Sequence, residues 1–152
     1  MVEEVRKMTV KQISVFVENR PGSLADFTKV LAEHNLDMRA LSLAETPDFG
    51  ILRIIVEDSY ETATTLKDAG YVCSITPVLA VEIPDRPGGL YEVVKILGEN
   101  QINIEYTYAF NSRKAEAAYM VFRVGDNEKA IEALSKNNVR LLSQDELLSA
   151  NA

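Results

Sequence analysis

Residue types that build His/Cys metal sites and disulfide bonds are nearly absent from this chain of 152 residues. It has one cysteine, Cys73, one histidine, His34, and no tryptophan. A single thiol cannot form a disulfide within the chain, and one thiol with one imidazole cannot form a clustered His/Cys metal site. The segment Met1–Thr9 is charged and lacks the apolar core of a signal peptide. These absences predict a protein of the reducing cytoplasm.

Basic residues are also scarce, with 16 Lys and Arg against 23 Asp and Glu and a formal net charge of −7. Such a chain is poorly suited to neutralising phosphates, so nucleic acid is not expected as a partner. No run reaches the roughly 18 apolar residues of a membrane span, so no membrane is expected either. A hydrophobic content of 47% is that of a folded globular protein.

The patterns of known catalytic sites are missing as well. The sequence has no Ser/His/Asp or Cys/His constellation, no glycine-rich phosphate loop and no metal-ligand spacing. We therefore expect a protein that is not an enzyme and that needs no cofactor.

The chain repeats itself after 66 residues. The segment Arg20-Pro21-Gly22-Ser23-Leu24 aligns with Arg86-Pro87-Gly88-Gly89-Leu90, and three further identities follow within the next nine positions. Chance would give about one identity over this stretch. The repeat predicts two domains and a tail with a short helix, at residues 9–75, 76–142 and 143–152.

Each copy contains the same order of predicted elements. Alternating apolar residues predict an opening strand, and apolar residues at helical spacing after Arg-Pro-Gly predict a helix. The helices are expected to bury Leu24, Phe27 and Leu31 in the first copy, and Leu90, Val93, Val94 and Leu97 in the second. The later elements of the first copy are strands 36–45 and 50–57 around the turn Thr46–Asp48, helix Tyr60–Ala69 and strand Tyr71–Ile75. Those of the second copy are strands 102–111 and 117–124 around the turn Ser112–Lys114, helix Asn127–Lys136 and strand Val139–Leu142. A capping-box pattern at Ser143 predicts a last helix over Gln144–Ser149.

The order β-α-β-β-α-β is that of the ferredoxin-like arrangement. The fold class predicted from the sequence is therefore α+β, with two such units in tandem. Each unit has an antiparallel sheet with its helices on one face.

The Arg-Pro-Gly motif can serve as an anion site. Proline suits the first turn of a helix because its missing N–H would have no partner there, and glycine lets another backbone or a ligand approach closely. The free amides of the first helical turn bind a carboxylate. An amino acid as ligand would also need an amide or a carboxylate near its ammonium group.

The first copy resembles the ACT domain in one succession of features: a strand, the segment Glu-Asn-Arg-Pro-Gly-Ser-Leu, a helix, and then Asn-Leu-Asp-Met at the next strand. The second copy is similar. The resemblance covers about Val10 to Leu142 and implies a small tandem regulatory protein of bacterial type, without a catalytic domain. It implies that amino acids bind where two domains meet. One polar residue of each site would lie two positions before the proline, at Asn19 and Asp85. Another would lie at the start of the second strand, at Asp37 and Asn103. Some family members have a histidine four residues before the proline, where this chain has Val17 and Ile83. The predicted ligand-binding residues are Asn19, Arg20, Pro21, Gly22, Ser23, Leu24, Asp37, Asp85, Arg86, Pro87, Gly88, Gly89, Leu90 and Asn103.

Each of these features also has a purely structural interpretation. Asn19 and Asp85 are suited to capping the helices that follow them, and Asp37 and Asn103 to the turns that precede strands. Arg20 and Arg86 are readily solvated surface groups. His34 is placed to cap a helix end, and Cys73 to act as a small buried apolar group.

Aromatic residues distinguish the second copy. Ile104, Tyr106, Tyr108 and Phe110 are expected to share one strand face, where the first copy has Met38, Ala40, Ser42 and Ala44. We hypothesise that this aromatic strip packs against another domain. The alternative is that these side chains fill the core under the helices.

The sequence favours a regulatory protein that binds an amino acid or similar metabolite and acts in trans on an enzyme. The resemblance implies a homodimer, since pairing of ACT sheets side by side is common in the family.

The main alternative is a structural interaction module whose ligand sites have degenerated. An enzyme lacks a catalytic constellation here. An RNA-recognition domain shares the element order, but the third strands lack its Lys/Arg-Gly-Phe pattern and the net charge is −7.

Overall fold

The structure of the protein is a computed structural model that describes residues 2–110 and 117–149. Its contacts divide the chain into two compact units. Lys11–Thr76 forms the first-repeat unit, and Pro77–Ala152 together with Met1–Val10 forms the second-repeat unit. Each unit is described by itself.

The elements follow each other in the predicted order, with one helix added at the start. They are α1 (Val2–Met8), β1 (Val10–Glu18), α2 (Ser23–Glu33), β2 (Met38–Glu45), β3 (Phe49–Val56), α3 (Ser59–Asp68), β4 (Cys73–Pro84), α4 (Gly89–Glu99), β5 (Ile104–Phe110), β6 (Ala117–Val124), α5 (Asn127–Lys136), β7 (Leu141–Leu142) and α6 (Gln144–Leu148).

Both sheets are antiparallel, which confirms the predicted fold class. In the first-repeat unit β3 lies between β1 and β2. In the second-repeat unit β6 lies between β4 and β5, and β7 pairs with the other edge of β4. The predicted turn after β2 is present, because the amide of Thr46 donates to the carbonyl of Phe49 over 2.8 Å. The predicted turn Ser112–Lys114 lies outside the described residues.

One strand differs from its prediction in extent. The sequence predicts a strand that ends at Ile75 and a new one in the second copy, whereas β4 is continuous from Cys73 to Pro84. Pro77 lies within it. Proline is compatible with an extended backbone, although it cannot donate a ladder hydrogen bond.

The helices of each unit cover one face of its sheet. In the first-repeat unit Val15 of β1 and Leu52 of β3 pack with Phe27 and Leu31 of α2. In the second-repeat unit Val81 and Phe122 pack with Val93 and Leu97 of α4. Leu24 and Leu90 depart from the prediction, because they are 38% and 41% exposed instead of joining these cores. Each lies in the first turn of its helix, one position after the buried residues Ser23 and Gly89, so the buried stripe passes beside it.

A β-bulge in β5 corrects the predicted aromatic strip. The register with β6 shifts between Ile104 and Tyr106, so Ile104 packs with the core under the helices. Tyr108 is paired with Val121, while the neighbouring Phe122 belongs to that core. Directly paired residues share a face, so Tyr106, Tyr108 and Phe110 lie on the sheet face opposite the helices. Ile104 is therefore not part of their strip, and the interpretation that the three aromatics fill the core under the helices is wrong.

The same bulge occurs at the equivalent place in the first repeat. The register of β2 shifts between Met38 and Ala40, and Met38 packs with the core of its unit. The inserted residues Arg39 and Glu105 lie 66 positions apart. Sequence alternation did not reveal the bulge, because one extra residue inverts the facing of every residue that precedes it.

The N-terminal helix α1 was not predicted. It contacts α5 of the second-repeat unit, although it precedes the first repeat in the chain. Met8 packs against the core of that unit, and Val5 is half-buried. The signal in the sequence is weak, because Val2, Val5 and Met8 form only one short apolar stripe among charged residues.

Three helices have side-chain N-caps. Asp58 accepts from the amide of Glu61 over 2.9 Å, and Asp126 accepts from that of Lys129 over 3.0 Å. Ser143 and Glu146 form the reciprocal pair of hydrogen bonds of a capping box at α6, as predicted from the sequence.

We predict that Asp58→Ala and Asp126→Ala each lower the free energy of unfolding by about 1 kcal/mol, because each leaves a first-turn amide without its acceptor. Urea denaturation monitored by circular dichroism measures the effect. Asp68→Ala, at the other end of α3, is the control and should leave the unfolding midpoint unchanged or slightly higher. Equal losses in all three variants would contradict the capping role.

Candidate functional site

The loop between β1 and α2 turns through a glycine in the left-handed conformation. Gly22, the N-cap of α2, has φ of 85° and ψ of −12°, and Gly88 before α4 has nearly the same angles. Neither helix has a side-chain cap, so the interpretation of Asn19 and Asp85 as helix caps is wrong. The first-turn amides of these helices therefore lack a side-chain acceptor, and they carry the positive end of the helix dipole.

Ser23 adds a hydroxyl donor to the start of α2. The residue is only 8% exposed, and its Oγ is buried without a hydrogen-bond partner in the structure. A buried polar group in this state costs about 1–3 kcal/mol, so its persistence calls for an explanation. Ser23 lines two neighbouring cavities of about 190 and 100 Å³. We call them the Tyr71 cavity and the Gly50 cavity.

The Tyr71 cavity is the more polar of the two. It is lined by Tyr71, Arg20 and Asp26, and also by Gly70. The Tyr71 ring contacts Phe27 edge-on, with centroids 5.5 Å apart. Burial raises the pKa of the Tyr71 hydroxyl, and the nearby Asp26 carboxylate raises it further, while Arg20 acts in the opposite direction.

Arg20 fixes the loop to its own helix. Its Nε lies 2.6 Å from an oxygen of Glu18, and Nη2 lies 3.5 Å from Asp26 in the first turn of α2. The hydrogen bond to Glu18 raises the pKa of Arg20. The equivalent Arg86 lies 2.8 Å from Glu92 of α4. Both arginines are about half exposed and already paired, which agrees with the interpretation of surface groups and gives them a role in holding the loop.

Asn19 connects the loop to the hairpin between β2 and β3. Its side-chain Nδ2 donates to the carbonyl of Thr46 over 2.9 Å, and its amide donates to that of Asp48 over 3.3 Å. These bonds place Asn19 at the rim of the Gly50 cavity. Asn19 thus joins the loop to the β2–β3 hairpin by two hydrogen bonds.

The structure does not bring Asp37 to this loop within the same unit. Asp37 directly precedes β2, whereas Glu45 at the far end of β2 lines the Gly50 cavity. The length of that strand separates them by about 25 Å. Asn103 has the same place before β5. A site that uses Asn19 and Asp37 together would need Asp37 from a second copy, and their joint use stays a prediction.

The second-repeat loop is packed more closely than the first. A Cβ at Gly89, the position equivalent to Ser23, would overlap the carbonyl oxygen of Pro84. That carbonyl also accepts from the amide of Arg86 over 2.9 Å. A cavity of about 510 Å³ lies beside Pro84, between α4 and the segment before β7. Glu82, Glu92 and Arg140 line it, but Asp85 to Leu90 do not.

Several lining residues were not predicted from the sequence. Among them are Val17, Asp26, Leu43, Gly50 and Tyr71. Only Gly50 carried a signal, because a glycine inside a strand pattern indicates close approach by other atoms.

His34 is the C-cap residue of α2, and its Nδ1 lies 2.8 Å from the carbonyl of Val30, in keeping with the expected helix-end role. Cys73 is half-buried beside the Ala63 carbonyl, and burial raises the pKa of its thiol.

Among residues 2–110 and 117–149, no group of three or more His, Cys, Asp or Glu side chains is arranged to hold a metal ion. Over the same ranges, no helix is long and apolar enough to span a membrane.

Comparison with known proteins identifies the family. The family model described as an ACT domain pair matches residues 8–150. The chain belongs to this family. No curated protein matches the sequence.

Solved structures agree with the assignment. Protein BT0572 from Bacteroides thetaiotaomicron is 39% identical over 92% of this chain and 96% of its own, with a TM-score of 0.85. The regulatory subunit of aspartate kinase from Thermus thermophilus, in its ligand-free form, is 16% identical over 83% and 91% of the two chains, with a TM-score of 0.62. The corresponding subunit from Thermus flavus has a TM-score of 0.59 at 16% identity over 83% and 90%. At this identity the two kinase subunits show a shared fold.

The packing of the second loop can be tested with two glycines of α4. Gly89→Ala should lower the free energy of unfolding by about 1–3 kcal/mol, because its methyl group meets the Pro84 backbone. Gly98→Ala meets open space and should raise it by about 0.8–1 kcal/mol. Urea denaturation of both ACT pair variants measures the difference. A stabilising Gly89→Ala would contradict the close packing.

The raised pKa of Tyr71 predicts a dependence of stability on pH. The folded chain holds the Tyr71 proton to higher pH than the unfolded chain, so its contribution is complete below the ordinary tyrosine pKa of 10.0. That contribution is lost as pH rises through the folded pKa. Urea denaturation at a series of pH values should give a steeper alkaline loss of stability for the native chain than for Tyr71→Phe. Equal losses in the two proteins would rule out this linkage.

Proposed function

We propose that this ACT pair is a non-catalytic regulatory protein that binds an amino acid or a similar small carboxylate at the start of α2. The observation that carries the proposal is Ser23, whose buried hydroxyl has no partner and borders the two cavities at the start of the helix. The amides of Ser23 and Asp26 already donate to the carbonyls of Arg20 and Gly22. A bound carboxylate would accept from the Ser23 hydroxyl and from the remaining amides of the first turn.

The surroundings of Ser23 suit the rest of an amino acid. The carboxylates of Glu18 and Glu45 line the Gly50 cavity and supply negative charge for an ammonium group. Glu18 is also paired with Arg20, so Glu45 is the better placed of the two to take on this charge. Of the fourteen residues predicted from the sequence, the proposal relies on the first-repeat loop, Asn19 to Leu24.

Regulation would act through linkage. A ligand that binds one arrangement of the protein more tightly than another shifts the equilibrium toward it, and a partner enzyme that recognises one arrangement reads out the shift. The regulatory subunits of aspartate kinase have the same fold, which supports action in trans. The homodimer and the regulated enzyme are parts of this proposal.

The structural-module alternative is favoured in the second repeat by one observation. Gly89 has no hydroxyl, and the Pro84 carbonyl occupies the space where a side chain would begin. We therefore propose ligand binding at the first repeat and leave Asp85, Arg86 and the following residues of the second loop as a prediction without this support.

The proposal is tested by thermal denaturation with each of the twenty L-amino acids. A ligand present at about 100 times its dissociation constant raises the free energy of unfolding by about 2.7 kcal/mol. That is a shift of several degrees for a chain of this length. If no amino acid shifts the midpoint, the structural-module alternative replaces the proposal.

A pair of variants separates ligand binding from stability. Ser23→Ala should leave the ligand-free protein as stable as the native chain or more so, because it removes an unpaired buried hydroxyl. The same variant should lose most of the ligand-induced shift. Thr62→Val is the control, because the Thr62 hydroxyl in α3 is also buried without a partner, away from both cavities. A full ligand response in Ser23→Ala would contradict the assigned role.

A further inference from the structure

The Gly50 cavity has an apolar half that the binding of a carboxylate and an ammonium group does not use. Val17 of β1, Leu24 of α2 and Leu43 of β2 surround it, and Gly50 of β3 forms its floor. Leu24 and Leu43 are 38% and 51% exposed. Exposed leucines that converge on one small cavity next to polar groups are typical of a ligand site.

The size of the cavity limits what can enter. Its volume is about 100 Å³. An apolar protein cavity of about 150 Å³ accommodates a benzene ring, so the apolar half of this smaller cavity has no room for an aromatic ring and is suited to a short branched aliphatic group. A charged group held against Val17, Leu24 and Leu43 would lose hydration without gaining a partner from them. The glutamates of the cavity lie in its polar half, which the proposal assigns to the ammonium group of the ligand.

The cavity is not a requirement of the fold, because the second repeat lacks two of its four components. Leu43 is paired with Leu52, and the residue in the same register of the second repeat is Ala109, paired with Met120. Gly50 is paired with Val17, and the counterpart of Gly50 is Ala118, paired with Ile83. The first repeat thus has a large side chain at the rim and no side chain on the floor.

We propose that the Gly50 cavity is a side-chain pocket that makes the protein selective for L-amino acids with a short branched aliphatic side chain, such as valine. The inference rests on the proposed function, because Ser23 and the amides of α2 hold the carboxylate. Gly50 and Leu43 determine the specificity, since they set the depth and the rim of the pocket.

Gly50→Ala is the sharpest change that the structure allows. Its Cβ would lie 3.0 Å from Leu43 Cδ1 and 3.3 Å from Val17 Cγ2, so the methyl group occupies the floor after a small movement of flexible side-chain ends. Gly50 is not among the residues with positive φ, so alanine can adopt its backbone conformation. Leu24→Ala removes one wall instead. Leu90→Ala is its control, because Leu90 is the repeat-related leucine and is similarly exposed.

Isothermal titration calorimetry with L-alanine, L-valine, L-phenylalanine and L-lysine measures the selectivity. For the native chain we expect valine to bind at least about tenfold more tightly than each of the others, the discrimination usual for a few methylene groups. Gly50→Ala should weaken valine binding by about tenfold or more and alter alanine binding by less than about twofold. Leu24→Ala should reduce the preference for valine over alanine, and Leu90→Ala should retain it.

The outcomes distinguish the pocket from the binding site. Binding without preference for valine, or a Gly50→Ala variant that weakens alanine and valine equally, overturns the pocket and leaves the proposed function standing. Binding of none of the amino acids overturns both. If Gly50→Ala fails to fold, the contrast between Leu24→Ala and Leu90→Ala decides the matter, and equal preferences in these two variants overturn the pocket.

Discussion

The left-handed glycine before each first helix is the constraint on which the rest of the structure depends. With φ of 85°, Gly22 and Gly88 allow the chain to leave a strand and begin a helix within four residues. A residue with a Cβ would strain this turn. Because glycine is itself the N-cap, no side chain accepts from the first-turn amides. Backbone carbonyls accept from some of them, as Arg20 does from Ser23 and Arg86 from Gly89, and the turn leaves the others without a side-chain acceptor.

The two repeats use this turn differently. In the first repeat, Asn19 connects the loop to the β2–β3 hairpin, and Arg20 connects it to Asp26 of α2. In the second, the loop folds back onto Pro84. The change from Ser23 to Gly89 goes with this difference, because only glycine fits against the Pro84 carbonyl. At this position the first copy has a hydroxyl donor that borders two cavities, whereas the second has the Pro84 backbone packed against Gly89.

Periodicity predicted much of this architecture from the sequence. β6 and α5 have their predicted bounds, because apolar alternation and helical spacing are local signals. The facing of Ile104 was mispredicted, since a bulge is one inserted residue that depends on pairing with another strand. Leu24 and Leu90 continue the apolar stripe in sequence, but both side chains are partly exposed in the structure. The helix α1 was missed because its partner α5 lies more than a hundred residues away.

The candidate site was predicted less completely than the fold. The Arg-Pro-Gly-Ser segment identified the loop, because proline and glycine at a helix start are local features. Val17, Leu43 and Gly50 come from three strands, and only the register of the sheet brings them together. The site is defined largely by three groups that the residues do not provide: a side-chain cap on α2, a side chain on Gly50 and a hydrogen-bond partner for the Ser23 hydroxyl. A sequence records the residues that are present, and the space that they leave is defined only when the strands pair and the loop is held in place.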